Sequence, residues 1–412
     1  MKAPVLRRTR SDWLTVGIIT AIATAAVGLT VANSDISHAS LNPVAPPGAE
    51  HQPALLESAP DSLTEAFRVP NEGVPGVFKP IVVQGLLISN DAHSVTAHNP
   101  DGSVAWTYSR DNVEICSLST AWNRVATTFR TGRGCGDVVS IDALTGEYAD
   151  TRSANNSDEV IAISSNDRVG TVSSDRVDLW RSDLVRTVEY GDVEAKQEPN
   201  LQPYEDCTIN SALTRTELLV VSESCPSDNG IDHLRFQTTT PEDSREPEVS
   251  QEVTIDSDGA RLVAVGQSAA AVYVPGENPT IISYNEQGYE TSRTDVAPSR
   301  KIHDSASPFA PATADLPHHM TWFDGERLYL FTPTALRVSQ VLEQAIGTGV
   351  AAGDHALIPT RDGIDVVDWT TGETQRSIPV DRGGYEGDVY LAVADGNVIE
   401  ARDGELVALT SN

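Results

Sequence analysis

The sequence lacks the usual signatures of catalysis. It holds no Gly-x-Ser-x-Gly elbow, no Gly-x4-Gly-Lys-Ser/Thr loop and no His-Glu-x-x-His pair. The sequence-readable routes to serine hydrolysis, nucleotide hydrolysis and zinc proteolysis are therefore absent. Cysteine is scarce too: four residues, with no Cys-x-x-Cys and no Cys/His cluster at zinc spacing, so no zinc ribbon or finger is encoded. Lysine is as scarce, 4 against 25 arginines, a balance typical of GC-rich coding. Positive charge is short overall, with 29 Lys+Arg against 59 Asp+Glu and a formal net charge of −30. A surface that acidic repels nucleic acid and anionic lipid headgroups, so neither is expected as a partner of the folded part. Acidity of this kind serves solubility, with an acidic docking face as the second reading.

Long hydrophobic runs are missing except for one. Residues 13–32, WLTVGIITAIATAAVGLTVA, carry no charge, and twenty residues as a helix span the roughly 30 Å hydrocarbon core of a bilayer. Residues 1–12 ahead of the run hold Lys2, Arg7, Arg8 and Arg10 against Asp12 alone, a net +3. That bias places the N-terminus in the cytoplasm and the bulk of the chain outside the membrane. A cleaved signal peptide is the rival, with Ser37-His38-Ala39 offering small residues at the right offsets, but the apolar run exceeds the usual 7–15 residues or so. Arg7-Arg8 lacks the pattern that follows a twin-arginine signal. Residues 33–63, rich in Pro, Ala and Ser, read as a spacer.

Downstream of the spacer, short strand-like runs alternate with Gly, Asp and Asn, the pattern of an all-β chain. One phrase recurs: VVSIDALTGEY at 138–148 and VVDWTTGET at 366–374. In each, an Asp side chain (Asp142, Asp368) accepts backbone N–H bonds from the residues that follow, and Thr145-Gly146 or Thr371-Gly372 completes the turn. The glycine supplies a positive φ. Shorter versions stand at Asn99–Gly102 and Asn285–Gly288. Marking units by these hairpins gives eight, at about 77–110, 114–153, 158–191, 205–256, 260–297, 319–347, 351–381 and 386–410. Most hold four candidate strands, as propeller blades do. Eight blades are expected, with seven as the alternative count.

The last unit supplies only three strands and would leave a bare edge. Residues 65–70, EAFRVP, resemble the outer strand SVAWTY of the first unit, with Phe67 standing where Trp106 does. The N-terminal segment is expected to add the missing fourth strand and close the ring, so that the propeller occupies 64–412. In an oxidising compartment the four cysteines pair as Cys116–Cys135 and Cys207–Cys225, each joining first strand to second in its unit; four free thiols are the alternative.

VVSIDALTGE and GIDVVDWTTGE resemble the repeat of pyrroloquinoline-quinone-like β-propellers, the superfamily of quinoprotein alcohol dehydrogenases and of an outer-membrane assembly lipoprotein. LWRSDLVRTVEYG at 179–191 and PVDRGGYEG at 379–387 resemble a group of membrane-anchored actinobacterial propeller-repeat proteins. In the enzymes of this superfamily the resemblance implies a cofactor on the axis, a Trp platform, often a vicinal disulfide, and a Ca²⁺ site of Glu, Asn and Asp. This chain has no adjacent cysteines, and its tryptophans read as core between blades. Asp256–Gly259 reads as a turn, and His318-His319 lacks a third ligand. The Gly-rich stretch at 130–137 reads as a strand connection ahead of an anion cradle.

Candidate contacts for a partner are Arg181, Asp183 and Arg186 in the DLWRSDLVRTVEYG hairpin, beside Asp178 and Glu189, and Arg382 and Tyr385 in DRGGYEGD. No cofactor and no metal are expected. The expected function is a non-enzymatic, single-pass, membrane-tethered scaffold that binds protein partners in the cell envelope. The alternatives are an oxidoreductase dependent on pyrroloquinoline quinone and Ca²⁺, or a small-ligand sensor, with the site on the axis.

Overall fold

The apolar runs of the middle strands are covered on both faces. Leu86–Asn90, Val169–Val172, Leu328–Phe331 and Gly363–Val367 are buried at every residue. Outer strands such as Val249–Ile255 and Val338–Leu342 instead alternate between half-buried and exposed. Sheets stacked face to face around an axis produce this gradient. The structure is a computed structural model and describes residues 8–43, 53–194, 196–228, 230–303, 307–317 and 319–411.

Eight antiparallel blades surround the axis. Blades I to VII span 81–110, 114–153, 161–191, 208–255, 261–295, 312–342 and 350–379. In blade VIII the strands at 390–411 are joined by Leu63–Pro70, which pairs antiparallel with Glu405–Ser411. The ring is thus an eight-bladed β-propeller closed by its N-terminal strand. Each of the eight seams between blades has its own apolar cluster. Blade VI begins earlier than its hairpins indicate: Ala312–Asp315 is its innermost strand, in a stretch that reads as loop because it is short and made of Ala and Thr.

The outermost strand of every blade is bulged at the same place against its neighbour. In several blades the residue after the bulge meets the turn of the next blade. Trp106 packs on Gly146, where an added Cβ would lie 2.9 Å from the indole, and its Nε1–H donates to Ala143 O at 2.7 Å. Phe67, Gln251 and Gln340 meet Gly102, Gly288 and Gly372 in the same way. Where that position holds the small Asp150 or Ser292, the next turn carries Leu184 or Leu336 instead, both buried at positive φ (55° and 49°). Large on glycine and small on leucine are two solutions to one packing requirement.

In the turns themselves, Asp142 Oδ1 accepts from the N–H of Leu144 (3.1 Å) and Thr145 (2.9 Å), and Asp368 Oδ1 from Thr370 (2.8 Å) and Thr371 (3.1 Å). The bonds from Thr371 and Thr370 hold the Asp368 carboxyl below its usual pKa. Gly146 and Gly372 have φ of +66° and +76°. Replacing Gly146 with Ala is expected to cost about 1–3 kcal/mol through the unfavourable φ and the Trp106 contact. Denaturant titration of the single variant and of Gly146→Ala in a Trp106→Ala background tests this. The two losses should be smaller in combination than in sum, because the steric share disappears with the indole.

The segment 33–63 does not hang free over its described length. Ala39–Pro43 adds a fifth strand to blade I, pairing residue by residue with Trp106–Arg110. Further on, Ala54 N donates to Asp395 Oδ1 (2.7 Å), Gly353 N to Leu56 O (2.8 Å), and Arg376 Nη2 to Ala59 O (2.9 Å) and Pro60 O (2.8 Å). Arg376 stands at the position after the bulge in blade VII. Blade VIII has no covalent turn for it to meet, because its outer strand comes from the N-terminus, and residues 59–60 fill that place. An extended Pro/Ala-rich chain satisfies an open edge as readily as it spans a gap, and composition does not distinguish the two.

The helix Arg10–Ala32 precedes this segment. It has a mean hydropathy of 2.1 and none of its apolar window is buried against the propeller. Its length and composition suit a membrane anchor or a signal. Six residues, 33–38, separate it from the strand on blade I.

Candidate functional site

The innermost strands line an axial cavity of about 500 Å³. Its walls combine apolar side chains such as Leu118, Ile163 and Leu391 with the hydroxyls of Thr120, Ser164 and Thr214. One mouth is crossed by the connection from the closing strand to blade I. Gly76 on that connection has φ +80°, and an added Cβ would lie 3.0 Å from Ile161 of blade III and 3.0 Å from Ala310 ahead of blade VI. The loop starts between blades VIII and I and reaches Ile161 of blade III, so it lies across this mouth. It is tied down by Asn90, whose backbone N–H donates to Asn71 Oδ1 (3.0 Å) and whose Nδ2 donates to Gly73 O (3.1 Å). A second crossing, between blades V and VI, is held where Phe309 N donates to Asn210 O of blade IV (2.7 Å).

Three charges belong to this cavity. Asp315, at the end of the innermost strand of blade VI, lines it and is bound by Arg215 Nη2 at 2.8 Å. Lys79, on the capping loop, also lines it. The lysine side chain is exposed, with protein closing around it at longer range. This surrounding protein pushes the ammonium pKa down, and the carboxylate of Asp315 opposes the shift.

The superfamily resemblance raises the question of Ca²⁺ and a quinone on the axis. Ca²⁺ takes six to eight oxygen ligands, several from carboxylates. Among the described residues the lining offers one carboxylate, Asp315, already bound to an arginine, and adds the cation Lys79. No tryptophan lines the cavity. Trp106, Trp180, Trp322 and Trp369 are buried in the seams, and Trp122 sits in a turn of blade II at φ +52°. This donor set does not fit the group.

The sequence-derived contact residues are dispersed. Arg181 and Asp183 form an exposed pair at 2.9 Å in the turn of blade III. Arg186 instead points inward to Glu189, which Arg176 also binds at 2.8 Å, and Arg176 holds Asp178 at 2.7 Å. Arg382 is buried: its guanidinium grips Glu400 at 2.8 Å and donates to the carbonyls of Thr360 (2.5 Å) and Gly363 (2.9 Å). No partner reaches it in this position. Tyr385 is half-buried, its hydroxyl donating to Asp388 O (2.9 Å) and accepting from Asp403 N (3.1 Å). An arginine in a Gly-rich loop reads as exposed because its carboxylate lies eighteen residues away on another strand.

The cysteines form Cys116–Cys135 and Cys207–Cys225. The second bond joins the first strand to the second as expected, whereas Cys135 opens the third strand of blade II. Being oxidised, Cys207 and Cys225 are not thiolate ligands, although Glu223, Asp228 and His233 lie near them. The glycines at 134 and 136 allow the backbone of 154–157 to approach, with Cys135 N donating to Ser157 O (2.9 Å) and Ala154 N to Gly136 O (3.0 Å). Those groups are engaged in the crossing, leaving no anion cradle. His318 lies outside the described residues. Lys79 went unnoticed in the sequence; its one signal there was the rarity of lysine.

Fold and cavity together define an eight-bladed propeller whose axis is capped at one mouth. Many solved structures resemble it, two of them as follows. One is BamB from Moraxella catarrhalis, with TM-score 0.50, 12% identity, and coverage of 84% of this chain and 99% of that one. The other is the quinohemoprotein alcohol dehydrogenase from Comamonas testosteroni, with TM-score 0.53, 12% identity, and coverage of 88% and 79%. At such identity the likeness is one of fold. No protein-family model and no curated protein matches the sequence.

Proposed function

We propose that the chain is a membrane-tethered, extracytoplasmic propeller that binds protein partners in the cell envelope. The observation that carries this reading is the strand Ala39–Pro43, which fastens blade I six residues after the apolar helix. With that helix retained as an anchor, N-terminus in the cytoplasm, the propeller stands close to the bilayer. The two disulfides agree with an oxidising compartment. A propeller fold serves enzymes and non-enzymes alike, and the single engaged carboxylate of the axial cavity supports binding over quinone chemistry.

The exposed Arg181–Asp183 pair is the proposed partner contact, on a surface that is otherwise strongly acidic. Charge reversal at Arg181 alone is expected to abolish partner crosslinking in envelope extracts without moving the melt, since an exposed pair contributes only about 0–1 kcal/mol. Crosslinking that survives the reversal would remove this turn from the contact. Arg186 is unsuitable for the same experiment because its reversal would strand Glu189 and Arg176 in a half-buried network. A small-ligand sensor is the second reading, favoured by the cavity that Lys79 lines.

A further inference from the structure

His233, in the third strand of blade IV, has a carboxylate at each ring nitrogen: Nδ1 stands 2.9 Å from Glu252 Oε1 and Nε2 3.1 Å from Asp228 Oδ2. With Nδ1–H given to Glu252, Nε2 turns its lone pair toward Asp228. Ligand atoms of His233, Asp228 and Cys225 all lie within 4.8 Å of one another. Cys225 Sγ is bonded to Cys207 Sγ, so a fourth ligating atom adjoins the group. Glu223 also lies beside both sulfurs, but Arg235 Nε (2.5 Å) and the Tyr190 hydroxyl (2.6 Å) hold it. Among the described residues no such group forms around Cys116–Cys135. The coincidence thus belongs to one disulfide alone. That disulfide is half-buried and open to a small reductant, whereas Cys116 and Cys135 are buried.

We propose that reduction of Cys207–Cys225 opens a zinc site made of both sulfurs, His233 Nε2 and the Asp228 carboxylate. A dithiol supplies the two electrons. Its thiolate attacks one sulfur, the mixed disulfide resolves into the dithiol's own disulfide, and the two cysteine sulfurs take up two protons. Zn²⁺ then binds the two thiolates and releases those protons. Sulfur, imidazole and carboxylate are the donors zinc takes, at about 2.0–2.3 Å in a tetrahedron. Neighbouring ligand atoms in such a tetrahedron stand roughly 3.3–3.8 Å apart, so the 3.1 Å between Nε2 and Asp228 Oδ2 is already close to one edge. Glu252 is a positioning residue that fixes the ring, as a carboxylate behind a zinc-bound histidine does. The spacing of 207, 225, 228 and 233 follows no zinc signature, because the pairing of Thr208 with Ser224 and of Ser224 with Asp232 brings them together across three strands. In the oxidised chain the sulfurs offer no thiolate, and the site is closed.

The test is metal titration across the redox change. The full chain in detergent micelles is reduced with dithiothreitol, desalted without air, and titrated with Zn²⁺ and with Co²⁺ beside the unreduced chain. Binding is expected only after reduction, with a thiolate-to-cobalt charge-transfer absorption. Zinc should also protect Cys207 and Cys225 from N-ethylmaleimide, read by peptide mass spectrometry. Glu252→Gln should weaken zinc binding by about 10–100-fold, and His233→Ala by more. The alkylation readout uses the natural chain and so stands even where a variant does not fold. A reduced chain that takes up no zinc overturns the proposal, as does equal alkylation of Cys207 and Cys225 with and without zinc. An affinity left unchanged by both His233→Ala and Asp228→Asn overturns it too, because the thiolates alone would then hold the ion.

Discussion

Deleting residues 63–70 is expected to lower the melting temperature sharply or to abolish the cooperative melt. The deleted strand pairs with Glu405–Ser411 along seven positions and contributes Phe67 and Val69 to the seam between blades VIII and I. Fully burying an apolar side chain of this size is worth about 1.5–3 kcal/mol. Phe67, Val69 and Leu63, the last in the adjoining seam, are half-buried, so their loss with that of the strand pairing takes a sizeable share of the roughly 5–15 kcal/mol that holds a typical domain. The exposed edge of 405–411 would also invite aggregation. A synthetic peptide covering 63–70 should restore part of the melt in trans, as strand addition to an open edge does. An unchanged melt after the deletion would show that the ring does not depend on its closing strand.

Glu400→Gln is expected to cost about 3–5 kcal/mol, because it leaves the buried Arg382 without its counter-charge and Arg402 with Glu405 alone at 3.7 Å. Glu400 has no exposed side-chain surface, and it binds Arg382 and Arg402 at 2.8 and 2.7 Å. Urea titration with an unchanged m-value would read the loss directly. Replacing all three residues with apolar side chains of similar volume should recover most of the stability, since the penalty lies in the unpaired charges and not in the absence of the ion pair. A loss below about 1 kcal/mol would mean that water reaches the cluster and that Arg382 is available after all.

Local chemistry made most of the ring legible. Asp142 and Asp368 announce their turns because an Asx turn is built from consecutive residues, and Phe67 was recognisable through its likeness to Trp106. The reason for that likeness, a large side chain set on the glycine of the next blade, is a contact between units and appears only in the folded chain. Ala312–Asp315 escaped detection because an innermost strand is short and faces a cavity, so it carries no strong apolar signature. The docking of 53–62 against blades VII and VIII and the strand at 39–43 escaped for another reason: backbone hydrogen bonding leaves little trace in composition. Lys79 and Gly76 are the extreme case. Nothing local marks GVPGVFKP as a cap, because its position depends on Ile161 and Ala310, far along the chain.

The central claim is that this propeller binds through its surface and carries no quinone centre on its axis. Titrating the full chain in detergent with pyrroloquinoline quinone and Ca²⁺, while following the thermal melt and the quinone absorbance, tests it most directly. A specific site at a hundredfold excess over Kd would stabilise the fold by about 2.7 kcal/mol. The account predicts no shift of the melt with both ligands present. A shift that requires quinone and Ca²⁺ together would contradict it.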